Sequence, residues 1–160
     1  MSTTLVTTDV QARTANPALV VDGALKALLD LGRAIDRTGL PQRTRDLVHV
    51  RASQINGCGV CGVQHQREAK RRGESDDRLW AVSGWRDAPY FTPAERAALA
   101  LTESVTRLAD RSDPVPDDVW DEAARHFDGE QLGALVLAVA SINLWNRVNV
   151  TTRQVAGQEW

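Results

Sequence analysis

The two cysteines of the chain stand three residues apart, and a histidine follows the second by four positions; these are Cys58, Cys61 and His65. At about 100° per residue on an α-helix, the three side chains fall within about 60° on one face. Cys58 would lie in the first turn, where free N–H groups and the helix dipole favour a thiolate. His65, one turn beyond Cys61, is placed to accept a thiol proton. The pattern is typical of a reactive dithiol.

Two other interpretations of these residues stay open. A structural zinc site needs four ligands, of which Cys58, Cys61 and His65 supply three, and His49 could be the fourth. Alternatively, the cysteines are inert core residues. A thioredoxin-like pair is disfavoured because it follows a strand, whereas the segment before Cys58 reads as a helix. Haem attachment is excluded, since it needs a histidine immediately after the second cysteine, where Gly62 stands.

The spacing of apolar residues and the helix start and stop signals predict an all-α, single-domain bundle of about six to seven helices. Asn16-Pro17 and Thr92-Pro93-Ala94-Glu95 have the form of helix starts. Asn56-Gly57 predicts the end of a helix immediately before Cys58. The predicted helices run over about 17–39, 42–56, 58–73, 75–82, 92–108, 116–127 and 130–155. They would place the cysteines at the start of the third helix.

Length, composition and charge narrow the classes of function. The chain has 160 residues, 42% of them hydrophobic, which suits a flexible arm over residues 1–15 and one domain over 16–160. Nineteen basic and 21 acidic residues give a net charge of −2, which favours neither nucleic acid nor an anionic membrane as partner. The N-terminus does not resemble a signal peptide, and the most apolar stretch is shorter than the roughly 18 residues of a membrane span. We therefore expect a cytoplasmic protein, in which a CxxC pair is catalytic or metal-binding more often than a permanent crosslink.

A longer motif surrounds the cysteines, from Asp46 to Gly73, and reads DLVHVRASQINGCGVCGVQHQREAKRRG. It closely resembles the core motif of the alkylhydroperoxidase D-like (AhpD-like) proteins of the carboxymuconolactone decarboxylase superfamily. That family pattern is an acidic residue, a helix with a Leu-Val-x-Leu-Arg-like sequence, and then SQING-C-x-x-C-x-x-x-H. Residues 85–103 and 142–153 resemble later family helices, so the resemblance covers about 20–155. It implies an all-helical fold assembled as a homotrimer or hexamer.

The resemblance also implies an antioxidant enzyme, an alkylhydroperoxidase-like peroxidase that reduces hydroperoxides with thiols. Cys61 matches the family's peroxide-attacking cysteine, Cys58 its resolving partner and His65 the motif histidine. Asp46, 12 residues before Cys58, stands where the family usually has Glu, and would hold His65 directly or through water. The cycle would pass through a Cys61 sulfenic acid and a redox-active Cys58–Cys61 disulfide, with no bound cofactor or metal. An external dithiol or, as in some family members, a lipoylated protein would reopen the disulfide.

Some features leave the activity open. Asp46 is one methylene shorter than Glu, and Val60 stands where some family members carry a second histidine. The helix dipole alone would make Cys58, not Cys61, the more acidic thiol. A redox-responsive helical interaction protein, a general disulfide reductase with slow peroxide turnover, and a zinc-binding module are the alternatives. Decarboxylase chemistry is less expected, because decarboxylase members usually lack the CxxC pair.

Two further groups of polar residues stand out. His49 lies one helical turn from Asp46, and we interpret it as a partly exposed surface histidine. Asn143, Asn146 and Asn149 repeat every three residues on the apolar last helix. Because buried amides need partners, we expect them to bond across helices or across a subunit contact, without a chemical role.

Overall fold

The computed structural model describes residues 9–109 and 111–158. All regular secondary structure within these ranges is helical, which confirms the all-α prediction. The α-helices are α1 (Pro17–Val20), α2 (Ala24–Asp36), α3 (Gln42–Asn56), α4 (Gly59–Arg71), α5 (Asp76–Ala81), α6 (Pro93–Thr106), α7 (Asp117–His126) and α8 (Gly129–Thr152), with a 3-10 turn at Val82–Gly84. None of these helices has both the length and the apolar character needed to cross a lipid bilayer.

The first predicted helix is divided in two. Asn16 caps α1 with its side chain, as expected, but the chain leaves helical geometry at Val21. Gly23 then adopts a left-handed conformation with φ 74°, which a right-handed helix cannot continue, so α2 starts afresh. This break is the reason that the described residues contain eight α-helices instead of six to seven. At the other end of the chain, α8 stops slightly before the predicted end because Arg153 is left-handed, with φ 52°.

The predicted flexible arm falls only partly on residues that the structure describes. Residues 1–8 lie outside them, and residues 9–15 contain no helix or strand. The Arg13 backbone N–H donates to the carbonyl oxygen of Thr152 at 2.8 Å, which places this segment beside the end of α8. The division into an arm and a domain stays a prediction.

Helix α3 lies at the centre of the fold and packs against α4, α6 and α8. Its buried side chains divide between two apolar clusters. Val48 packs with residues of α6, α7 and α8, whereas Leu47 and Val50 pack with α5, α6 and the segment between them. A third, smaller cluster contains Cys58 and Cys61. The cysteines are therefore part of the packed interior.

A buried carboxylate connects α3 to α6. Glu103 accepts hydrogen bonds from Arg51 Nε at 2.8 Å, Trp85 Nε1 at 2.9 Å and Arg86 Nη1 at 2.7 Å. Burial by itself would raise the pKa of Glu103, but the donors Trp85, Arg86 and Arg51 hold that pKa at about 2. The ionised carboxylate thus fixes α3, which precedes the cysteine motif, against the rest of the bundle.

The turn between α3 and α4 is formed as the sequence predicts. Helix α3 ends at Asn56, and Gly57 is left-handed with φ 65°. Cys58 follows in an extended conformation as the N-cap of α4. Because the left-handed region suits glycine and few other residues, Gly57 determines where α4 begins.

Replacing Gly57 by alanine should lower the free energy of unfolding by about 1 kcal/mol, because a side chain at this positive φ is strained. Space does not limit the substitution, since nothing lies within 4 Å of the added Cβ. Gly62, within α4, is the matched control: its added Cβ also meets open space, but at a helical φ. Gly62→Ala should leave the stability unchanged or raise it by up to about 1 kcal/mol. Chemical denaturation measures both, and equal stabilities of the two variants would contradict this role of Gly57.

Candidate redox-active site

The sulfurs of Cys58 and Cys61 are joined as a disulfide at the start of α4. Their Cα atoms are 5.5 Å apart, and the residues are only 3% and 2% exposed. Cys58 Sγ also accepts a hydrogen bond from the backbone N–H of Cys61, at 3.3 Å, and so caps α4. After reduction, this N-terminal position favours a thiolate on Cys58.

The sulfur of Cys61 has a hydrogen-bond donor from a distant helix. Asn149, a buried residue of α8, donates its side-chain N–H to Cys61 Sγ at 3.3 Å. The carbonyl oxygen of the same amide accepts from Asn16 Nδ2 at 2.9 Å. Sequence reasoning expected a cross-helix bond for Asn149 but gave it no chemical role, because a spacing of three residues does not reveal the partner.

The two other asparagines of α8 hold the last turn of α3. Asn56 Nδ2 donates to Asn143 Oδ1 at 2.9 Å and to Asn146 Oδ1 at 2.8 Å. Asn146 in turn donates to Ser53 Oγ at 3.1 Å. These bonds confirm the cross-helix pairing expected for the asparagine repeat. They fix the segment that leads into the cysteine motif.

His65 contacts one carboxylate and one imidazole. Its Nδ1 lies 3.4 Å from Glu68 Oε2, three positions further along α4. The hydrogen bond with His65 is the largest cause that lowers the pKa of Glu68 to about 2, with smaller contributions from Gln64 and Arg72 against the effect of burial. Glu68 is therefore ionised at neutral pH. The i, i+3 spacing was a signal in the sequence for this pair, and sequence reasoning missed it.

The imidazole beside His65 belongs to His49 of α3. The two ring centroids are 4.5 Å apart, with the rings tilted by 53°. His49 is partly buried, and burial lowers its pKa well below the usual value, to which nearby His65, Arg45 and Arg72 add. The interpretation as a surface histidine did not include this ring contact, which arises from the packing of α3 on α4.

The carboxylate of Asp46 is buried and hydrogen-bonded, but its partners differ from the predicted partner His65. Its Oδ1 accepts hydrogen bonds from Gln42 Nε2 at 2.7 Å and from Arg72 Nη1 at 2.8 Å. Among the described residues, the contacts of Asp46 include no direct bond to His65, and those of His65 include neither sulfur. The direct form of the Asp46–His65 interaction is thus not present here. The form through water stays a prediction.

A pocket of about 200 Å³ opens beside Cys58. The turn before α4 and the end of α8 form its walls, with Asn149 and Arg153 among the lining residues. The volume suits a small molecule or the end of an extended side chain. Of the two sulfur-bearing residues, Cys58 is the one that lines this pocket, so an external reactant that enters it meets Cys58 first.

The zinc interpretation named Cys58, Cys61, His65 and His49 as potential ligands. Across residues 9–109 and 111–158, no three or more His, Cys, Asp or Glu side chains are grouped so that they could hold a metal ion. The two sulfurs are joined to each other, and the two imidazoles pack on each other instead.

The fold and the motif agree with comparisons to known proteins. The chain matches the model of the carboxymuconolactone decarboxylase family over residues 22–104. It is 32% identical over 126 residues to the uncharacterized protein YdfG of Bacillus subtilis (strain 168), which covers 79% of this chain and 84% of YdfG. The chain therefore belongs to the carboxymuconolactone decarboxylase family.

Comparison with solved structures defines the type of fold more closely. ATU0492 from Agrobacterium tumefaciens, a protein of unknown function with a suggested role in antioxidant defence as AhpD, matches with a TM-score of 0.85 at 34% identity. The match covers 93% of this chain and 100% of ATU0492. The debrominase Bmp8, in its apo form, matches with a TM-score of 0.69 at 22% identity over 82% of this chain and 69% of its own. The fold is AhpD-like, and the debrominase shows that it is not confined to one reaction.

His49 should stay neutral at pH values where an ordinary histidine is protonated, since its folded-state pKa lies well below the usual 6.5. The unfolded chain then binds the extra proton, so the stability associated with neutral His49 is complete above about pH 6.5 and falls as the pH falls below it. Histidine NMR resonances followed from pH 8 to pH 5 test this, with His49→Gln assigning the signal. A midpoint for His49 at or above 6.5 would contradict the partly buried position of this ring beside His65.

Proposed function

We propose that the protein is a thiol-dependent peroxidase that reduces hydroperoxides through Cys58 and Cys61. The observation that carries the proposal is the pair of sulfurs at disulfide-bonding distance at the N-terminus of α4. Membership of the carboxymuconolactone decarboxylase family and the AhpD-like fold support it. So does the antioxidant role suggested for ATU0492, which is similar over its whole length.

The first half of the cycle oxidises Cys61. In the reduced protein, His65, held at Nδ1 by the Glu68 carboxylate, takes the Cys61 thiol proton at its other ring nitrogen directly or through water. The Cys61 thiolate attacks the distal oxygen of the hydroperoxide, and the O–O bond breaks. The electron pair leaves with the second oxygen, which takes a proton and departs as an alcohol or water, and Cys61 becomes a sulfenic acid.

The second half forms and reopens the disulfide. Cys58 attacks the sulfenic sulfur, water leaves, and the Cys58–Cys61 bond of the structure forms. A dithiol donor then reduces this bond by two exchanges: its first thiolate joins one protein sulfur, and its second thiol displaces that sulfur as the donor closes its own disulfide. The pocket beside Cys58 supports access for such a donor, including a lipoyl group on another protein. The cycle uses no resident cofactor.

An assembly of several copies is part of the same proposal. Leu137 and Leu144 lie on α8 and are 47% and 39% exposed. They offer an apolar surface for the homotrimer or hexamer that the sequence resemblance implies, and this assembly stays a prediction.

A slower redox-responsive role is the second candidate, and one observation favours it. Both sulfur-bearing residues are almost fully buried, at 3% and 2% exposure, which restricts the approach of bulky donors. Such a protein would form its disulfide once with peroxide and then turn over slowly with every dithiol donor supplied. Comparing the rate of disulfide formation with the steady-state rate separates the two roles.

Replacing either cysteine by serine should abolish catalytic turnover, by at least about 100-fold, but in different ways. Cys61→Ser should consume no peroxide, because the attacking sulfur is gone. Cys58→Ser should consume about one equivalent quickly and then turn over only slowly, because its sulfenic acid must react with an external thiol instead of Cys58. Peroxide consumption with a dithiol donor measures both, and wild-type activity in the two variants would exclude this mechanism.

Two variants test the role of the Glu68 carboxylate beside His65. Glu68→Gln removes the charge that holds His65 and should lower kcat/KM by about 10- to 100-fold. Because the pKa of Glu68 is about 2, the wild-type carboxylate is ionised throughout the assay range. Asp46→Asn is the matched control: it removes a carboxylate bonded to Arg72 and should have the smaller effect. The opposite order would favour a relay from Asp46 through water.

A further inference from the structure

We propose that Asn149 is a catalytic residue of the thiol chemistry: its side-chain N–H stabilises the Cys61 thiolate, and Asn16 is the positioning residue that orients this amide. The inference rests on the proposed function of the cysteine pair, but its decisive measurement does not depend on peroxide turnover.

The contact to the reacting sulfur is direct. Asn149 Nδ2 lies 3.3 Å from Cys61 Sγ in the disulfide form. Both residues are buried, at 5% and 2% exposure, so water competes little for either group. After reduction, the same N–H meets a sulfur that can carry a full negative charge. Since a charged acceptor forms the stronger hydrogen bond, the contact favours the thiolate over the thiol.

The amide of Asn149 is held with its N–H side towards the sulfur. An amide presents an oxygen on one side and N–H donors on the other, and only the donors stabilise a thiolate. Asn16 Nδ2 donates to Asn149 Oδ1 at 2.9 Å, which occupies the oxygen. Asn16 is itself fixed, because its Oδ1 accepts from the backbone N–H of Ala18 at 3.0 Å. A chain of three hydrogen bonds thus runs from α1 to Cys61.

These three hydrogen bonds help to determine which sulfur is the leaving group when an external thiolate reduces the disulfide. Cys58 lines the pocket and Cys61 does not, although Asn149, the hydrogen-bond donor to Cys61, also lines it. An external thiolate that enters the pocket therefore attacks Cys58, and the S–S bond breaks. The electron pair goes to Cys61, where the Asn149 N–H stabilises the new charge, and the donor remains joined to Cys58. The same contact then favours the Cys61 thiolate for the next peroxide.

Alkylation of Cys61 over a range of pH tests the proposal. The full chain with Cys58→Ser leaves Cys61 as the single thiol, and iodoacetamide reacts with its thiolate form. Adding Asn149→Ala should raise the thiol pKa by about one unit and slow alkylation at neutral pH about tenfold. The other titratable groups on the elements around Cys61 include His65, His49 and Arg153, and the Asn149→Ala variant retains all of them.

Two further variants separate chemistry from packing. Asn16→Asp retains the oxygen that caps α1 but removes the donor to Asn149, so it should slow alkylation in the same direction, by a few-fold. Thr152→Val is the matched control: it removes another buried polar group from α8, a hydroxyl that contacts Val148 and Gln154 but no sulfur. Its alkylation profile should coincide with that of the Cys58→Ser background.

The outcomes are decisive in each direction. An Asn149→Ala profile that superimposes on the background, or an equal shift in Thr152→Val, would overturn the proposal. If Asn149→Ala does not fold, the Asn16→Asp profile decides by the same criterion. A shifted profile in a protein that fails to turn over any peroxide would support the role of Asn149 while refuting the proposed function.

Discussion

The left-handed backbone at Gly57 is the constraint on which the site depends. It ends α3 and makes Cys58 the N-cap of a new helix, with its sulfur accepting from the backbone N–H of Cys61. From that point, helical geometry alone sets the directions of Cys61, His65 and Glu68. A start displaced by one residue would rotate these side chains by about 100° and would move Cys61 away from Asn149. A single backbone conformation therefore determines which groups meet.

The asparagines of α8 complete what the turn begins. Asn143 and Asn146 receive the side chain of Asn56, the residue directly before Gly57, so they hold the turn itself. Asn149, three residues after Asn146 on the same helix, contacts the sulfur of Cys61. Buried amides are costly unless every donor and acceptor is paired. Here the paired asparagine amides of one helix, α8, fix both the turn between α3 and α4 and the sulfur of Cys61.

Local rules account for the parts of the structure that could be predicted. The helix start near Cys58, the helix end before Gly57 and the capping box at Thr92 depend on residues within one or two turns, and all are confirmed. Glu68 obeys the same rule and could have been found beside His65. Asn149 is 88 residues from Cys61, and no local pattern reveals that pair. The hydrogen bond from Arg72 to Asp46 and the ring contact between His49 and His65 likewise depend on how α3 and α4 pack.

Because the same fold occurs in a debrominase, the reaction must be established at the sulfur itself. The most direct measurement treats reduced Cys58→Ser protein with one equivalent of hydroperoxide in the presence of a carbon nucleophile that traps sulfenic acids. Mass spectrometry then locates the adduct. If the protein is a thiol peroxidase, the adduct forms on Cys61 in proportion to the peroxide consumed. An unmodified Cys61 with the peroxide left intact would contradict it.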